Sequence, residues 1–483
     1  METILRQNSN RQQTLADLAL LTLLVVCIPL TACTAQNVAY VSSSEGNDNN
    51  DGFTIRSPYQ SLSKAIAKAD TIYLKAGDVF YGNVDFRGKV VDRYGRGDNP
   101  IISGFRYIKR PEWEKVDENL WRLDLTKDIF EGVDCSMNNQ VNNVGCIYDC
   151  EADVVYGCKR QFEEELTQDW DFWQTDIFIK EDVNDSTFSS LVLYLTKDPN
   201  AMSLALSTGT TGVKANNCHI SNLRITGFGI HGIVAGSRAV IKNCTIDIIG
   251  GSIQIGYKKF TSLGNGIEFG VSKNISDSSV TGCTISRCYD CGVTIQGSGY
   301  QQAAPSNITI SGNYIHNCCQ GWEDFLRNGE TDLFENCVFS DNLLVDNGSK
   351  IAFGYGDGRF KYCQVLGNNT QGIRDMILRN NVFINGNYYC SGSYRNEYKS
   401  HVWEGNVCYI QRGQFLLSNY TGSKDVIRIP AEKGEFNSIE EATEDAIKRY
   451  RRLTGDETSE FVIIEEKDKV VLINQFLKKL RIR

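Results

Sequence analysis

One short phrase recurs along this chain of 483 residues: a small polar residue or glycine, then Cys or Asn, a spacer, and an apolar residue. It reads NNCHI at 216–220, KNCTI at 242–246, TGCTI at 281–285, SGNYI at 311–315 and ENCVF at 335–339. Asn381 and Asn406 occupy the same place as Cys218, Cys244, Cys283, Asn313 and Cys337, at steps of about 24 to 44 residues, the period of solenoid repeats. Within CTIDI the Ile residues alternate with polar ones, which is the period-2 pattern of a strand with one buried face. Gly and Asn punctuate the strands, and Pro is scarce (43 Gly, 7 Pro).

Short strands, turn residues and a fixed small-residue register predict an all-β chain, a right-handed parallel β-helix. Successive coils there stack about 4.8 Å apart, so equivalent residues lie directly above one another. Stacked Asn side chains can hydrogen-bond from coil to coil, and Cys fills the same slot as a small apolar residue. Cys218, Cys244, Cys283 and Cys337 are therefore expected to be buried free thiols. Cys135, Cys146, Cys150 and Cys158 lie close enough in sequence for disulfides in an oxidising compartment.

Four segments are distinguished. Residues 1–32 carry Arg6 and Arg11, an apolar run LALLTLLVVCIPL, and LTAC before Cys33, the pattern of a bacterial lipoprotein signal with Cys33 as lipidation site. The chain is thus expected in the cell envelope, touching membrane only through that anchor. Residues 33–204 hold an N-terminal cap, with the amphipathic helix SLSKAIAKA, and first coils with insertions. The regular solenoid spans 205–420. Residues 421–483 form a small α/β tail or cap whose helix has acids first and bases last. The net charge of −9 and the lack of a basic cluster argue against a nucleic-acid partner. A monomer is expected.

A solenoid has no pocket of its own, so function belongs to one flank. The densest polar cluster lies at 247–324, where Glu268, Asp290, and Glu323 or Asp324 recur on successive coils. Carboxylates one or two coils apart would be about 5 to 10 Å from each other, the range that glycoside hydrolysis uses. His231, Gln254, Tyr289, Gln296 and Trp322 are candidates for binding a sugar. Cys288 and Cys291 form C-x-x-C without a second such pair, and with 4 His in the chain no metal site is expected.

The succession GIHG (229–232), IIGG (248–251), GNGIEFG (264–270), YDCGVTIQ (289–296) and WEDF (322–325) resembles exported β-helix proteins of the pectate-lyase-like superfamily, which includes polysaccharide lyases and glycoside hydrolases. The resemblance implies a carbohydrate-facing groove with a polysaccharide or oligosaccharide substrate. Three functions are compatible with it. The first is a glycoside hydrolase using Glu268 and Asp290, with Glu323 or Asp324 third, and no cofactor. The second is a lyase with Ca2+ and a base among Lys258, Lys259, Arg287 and Arg327. The third is a surface lipoprotein that only binds glycan.

Overall fold

The computed structural model describes residues 37–480 apart from 109–111, 127–140, 157, 175–187, 255–261, 271–273, 298–304, 327–333, 349–362, 368–375, 387, 393–400 and 420–425. Cys33, Cys135, Lys258, Lys259 and Arg327 lie outside the described residues.

Among the described residues, three ten-stranded sheets run along the solenoid. Each coil contributes one strand to each sheet in turn. Cys218–Ser221, Arg224–Phe228 and Ile233–Ala235 make one such coil, and the next, Ala239–Lys242, Thr245–Ile249 and Ile267–Gly270, pairs with it in parallel throughout. The chain is a right-handed parallel β-helix. Its interior is a set of stacked apolar columns. In the second sheet Ile225, Ile246, Ile285, Ile315, Leu344 and Phe383 stand in register, and all are fully buried.

The recurring phrase marks the corners between sheets. Cys244, Cys283, Asn313, Asn342, Asn381 and Asn406 form one column at the entry to the second sheet. The residue before each, Asn243, Gly282, Gly312, Asp341, Asn380 or Gly405, has φ between 52° and 65°. Gly, Asn and Asp are the residues that tolerate this left-handed conformation, which explains the small polar residue that opens the phrase. The expected stacking of Cys244 and Cys283 is observed. Cys218 and Cys337 stand instead in a first-sheet column with Ala239, Ser278 and Ile308. They follow their own left-handed residues, Asn217 and Asn336, at a different corner. All the cysteines whose side chains are described are free thiols, including Cys146 and Cys150.

The Asn column satisfies its own hydrogen bonds. Asn342 Oδ1 accepts from the Asn313 backbone N–H (3.0 Å) and Nδ2 (2.9 Å), and Asn342 Nδ2 donates to Asn381 Oδ1 and Ile310 O at 3.0 Å each. Asn381 repeats the arrangement with Asn406 and Phe339 O.

Helix α1 (Leu62–Lys68) closes the first coil by burying Leu62 and Ala65 in the solenoid core. At the other end, helix α2 (Ile439–Thr454) buries Ala446 and Tyr450 in the same core. Its N-cap Ser438 accepts from the Glu441 N–H, and Gly455 ends it at φ 72°. The strand Glu460–Ile463 completes the second sheet. Helix α3 (Glu466–Leu480) then lays Leu472, Ile473, Phe476 and Leu477 against Leu343, Val345 and Ile384.

Replacing Asn342 by Ala removes an acceptor and a donor in one step and strands buried partners on both sides. The expected loss is roughly 3 kcal/mol or more, against about 1 kcal/mol for Cys244→Ala, whose thiol fills the slot and makes only weak sulfur hydrogen bonds, to Lys242 O at 3.4 Å and Ile220 O at 3.9 Å. Denaturant unfolding of the two variants compares them; equal losses would show that the amides are not what ties the coils together.

Candidate active site

The outward face of the third sheet holds the polar cluster. Along Ile267–Gly270, Ile267 and Phe269 point into the core, so Glu268 between them points out. On the next coil Thr294 takes the equivalent place, and on the one after, Glu323. The two carboxylates therefore share one column with a threonine between them. Two strand spacings separate their backbones by about 9.6 Å.

Three groups converge on Glu268 Oε2. Asn265 Nδ2 donates at 2.9 Å, Gln296 Nε2 at 2.8 Å, and His231 Nε2 at 3.1 Å. The Asn265 backbone N–H donates to His231 Nδ1 at 3.3 Å. That contact puts the ring proton on Nε2, where it is donated to Glu268. Asn265 Oδ1 is itself fixed by the Cys291 N–H. Oε2 is thus committed within the protein, while Oε1 accepts no hydrogen bond among the described residues and the side chain stays 15% exposed. One coil further on, Thr294 Oγ1 donates to Glu323 Oε2 at 3.1 Å.

Glycines set the approach of this sheet to its neighbour. A Cβ at Gly266 would lie 2.9 Å from Ile285 Cγ2, and one at Gly292 would lie 2.5 Å from Ile315 Cγ2. The Gly that precedes Ile267 and Val293 at the start of these site strands follows from this packing.

The structure brings Glu268, His231, Gln296 and Glu323 to one face. It does not bring the other expected residues there. Asp324 follows Glu323 in the same strand and so points the opposite way. Its side chain is buried in the solenoid interior and meets His401 Nε2 at 2.8 Å. In the register Gly367 and Gly392 stand beside Asp324 on the next coils. Trp322 has no exposed surface and packs on Phe339, ring centroids 4.7 Å apart, so it is a core residue rather than a sugar platform. Asp290 lies at the corner before Cys291–Gly297, roughly 13 Å along the strand from Thr294. There its Oδ1 accepts from Gln320, in the amide orientation that satisfies both groups, at 2.7 Å. Tyr289 packs with Ile248 against residues of the insertion described next. Gln254 is half-buried. Asn265 and Thr294 were not expected. Thr294 was open to detection, because it falls midway in register between two carboxylates.

The outer face of the second sheet is occupied. Residues 105–207 leave the solenoid and fold into a four-stranded and a five-stranded sheet with their own core of Trp113, Trp121, Phe172, Leu191 and Leu193. Ion pairs fasten this insertion. Arg287 meets Asp153 and Asp247 at 2.8 Å each, and Arg224 meets Asp247 at 2.8 Å. Burial works against the Arg287 charge, but the two carboxylates outweigh it and hold its pKa above the ordinary value. Arg287 is thus a fastening residue, not a base. Cys288 and Cys291 are buried, and burial pushes both thiols well up.

No protein-family model and no curated protein matches the chain. Among solved structures it is similar to a GH136 lacto-N-biosidase from Eubacterium ramulus at 13% identity and a TM-score of 0.38, covering 78% of this chain and 56% of that one. XylC in complex with xylose aligns at 13% identity and a TM-score of 0.44, over 88% of this chain and 82% of that one. The catalytic domain of a GH87 α-1,3-glucanase aligns at 10% identity and a TM-score of 0.26, over 82% and 62%. None reaches a TM-score of 0.5, and the fold rests on the strand register above.

His316 lies on this covered face, stacked on Tyr314 with ring centroids 4.2 Å apart. Burial, with Arg287 adding to it, lowers its pKa to about 4. In the unfolded chain it titrates near 6.5. Between those values the unfolded chain holds a proton that the folded one does not. The contribution is therefore full above pH ~6.5 and is lost as pH falls toward 4. Between pH 7 and pH 5 the loss is about 2 kcal/mol. Unfolding curves of His316→Gln should be flatter over that interval by about this amount; identical pH profiles would contradict it.

Proposed function

We propose that the chain is a glycoside hydrolase acting on a polysaccharide or oligosaccharide outside the cytoplasm, with Glu268 and Glu323 as its paired carboxylates. The observation that carries the reading is their shared outward column, two coils apart. Glu323 replaces Asp290 as the partner of Glu268, because Asp290 lies at the corner.

Two carboxyl groups about 6.5–9.5 Å apart leave room for a water opposite the leaving group, which is the inverting arrangement. A column separation of about 9.6 Å between backbones fits this spacing better than the near 5 Å of a retaining pair. Every neighbour of Glu268 donates to it, so it serves as an acceptor, and its uncommitted Oε1 suits the group that takes a proton from water. Glu323, beside the Thr294 hydroxyl, then protonates the glycosidic oxygen. His231, Asn265 and Gln296 are positioning residues for Glu268.

Glu268→Gln and Glu323→Gln should each lower the rate of sugar release by about 10²- to 10⁴-fold while leaving the melting temperature within a few degrees. Proton NMR of the first product should show the anomeric configuration inverted. Full activity in both variants would end the assignment, and a retained configuration would end the inverting mechanism. Glycan binding without release across a broad substrate panel would favour a purely binding protein.

A further inference from the structure

The first turn of the solenoid is incomplete. The first sheet begins at Val38–Val41, one strand ahead of the other two, whose end strands are Val79–Tyr81 and Val84–Asp85. A cavity of about 600 Å³ opens between those two strands and helix α1, with Asp48, Leu62, Ile66, Tyr81, Asn83 and Asp85 among its lining residues. That volume is within the range of small-molecule sites.

Asn83 singles the cavity out. It is only 3% exposed, yet neither Oδ1 nor Nδ2 has a hydrogen-bond partner among the described residues. Buried amides are ordinarily paired, and one left unpaired costs free energy. The register makes the residue more unusual. In its column the next five coils carry Gly212, Gly232, Gly266, Gly292 and Gly321. The Gln364 that follows is fully engaged, accepting from Asn347 at 2.8 Å and donating to Asn385 O at 2.6 Å. Asn83 thus adds an amide to the glycine run without gaining a hydrogen bond from the described residues.

We infer that this cavity is a second sugar site, distinct from the Glu268 column, and that it binds a neutral sugar unit. A carboxamide offers a donor and an acceptor side by side, the complement of two adjacent hydroxyls. Asp48 Oδ1 is held by the Gln60 and Ser61 N–H groups, which leaves Oδ2 to accept a hydroxyl proton, while Asp85 is paired with Arg87. Leu62, Ile66 and the exposed Tyr81 ring supply apolar surface for the C–H face of a pyranose. With Asp85 offset by Arg87, the Asp48 carboxylate is the charge that disfavours a uronate or a sulfated sugar. Asp85, Lys214, Val234 and Glu268 share one outward column, which sets the cavity three strand spacings, about 14 Å, from Glu268.

The test is calorimetric titration of the full chain carrying Glu268→Gln with neutral xylo-, gluco- and galacto-oligosaccharides, alone and combined with Asn83→Leu. Binding is read without turnover; a sugar held at the Glu268 column would appear as a component that Asn83→Leu leaves unchanged, so the second site is read as the component that this substitution weakens. At least one sugar should bind, at least tenfold more weakly in the Asn83→Leu protein, and equally well at low salt and in 0.5 M NaCl. The leucine removes an unpaired amide at similar volume, so the melting temperature should hold or rise. Absence of binding by all three sugar series, binding indifferent to Asn83, or a clear fall in melting temperature that marks Asn83 as structural would each overturn the inference.

Discussion

The structure depends on one repeated contact, the stacking of a small buried residue on its equivalent in the next coil. A parallel solenoid has no hairpins to fix its register, and a slip of one residue would turn every side chain to the wrong face. The Asn column prevents this. Asn313, Asn342 and Asn381 each donate to the amide of the coil after, which accepts in turn, and only the correct register satisfies the series. Where Cys takes over, at Cys244 and Cys283, the slot is kept by size and by weak thiol hydrogen bonds to carbonyls of the same and the preceding coil. The left-handed residue ahead of each slot turns the corner, and the apolar columns behind it exclude water.

From that register the candidate site follows. Glu268, Thr294 and Glu323 face the same way because three successive coils start their third-sheet strands in step. Glu323 and Asp324 are adjacent and chemically alike, yet strand alternation gives them opposite fates. One joins the outward column, where it is 5% exposed, and the other lies in the solenoid interior against His401. The insertion and helix α3 both lie on the second sheet. This leaves the distinctive polar column of the molecule to the third.

Much of this was legible in the residues. The phrase with Cys or Asn announces a stacked solenoid, and Glu268, read as a catalytic candidate, meets His231 and Gln296, read as sugar-binding candidates, through hydrogen bonds. What misled was that the same phrase is written at more than one corner. Asn217-Cys218 and Asn243-Cys244 look alike because both are a left-handed residue followed by a buried small one, but they open different sheets. Asn342 was passed over although Asp341-Asn342 fits the pattern. Asp290 was misjudged for a related reason. Its spacing from Glu268 resembled one coil, whereas coil lengths differ at the loops and only strand pairing fixes the column. Trp322 could not be told from a surface aromatic, since inward and outward residues alternate within WEDF and the sequence does not say where the alternation starts.

The central claim is that the Glu268–Thr294–Glu323 column is where a glycan is cut. The most direct measurement is a crystal structure of the Glu268→Gln protein soaked with an oligosaccharide substrate. The account predicts a sugar chain lying across the third sheet, with a glycosidic oxygen within hydrogen-bond distance of Glu323 and a water held at residue 268 on the opposite side of the ring. A glycan bound clear of this column, with its scissile bond near other residues, would contradict it.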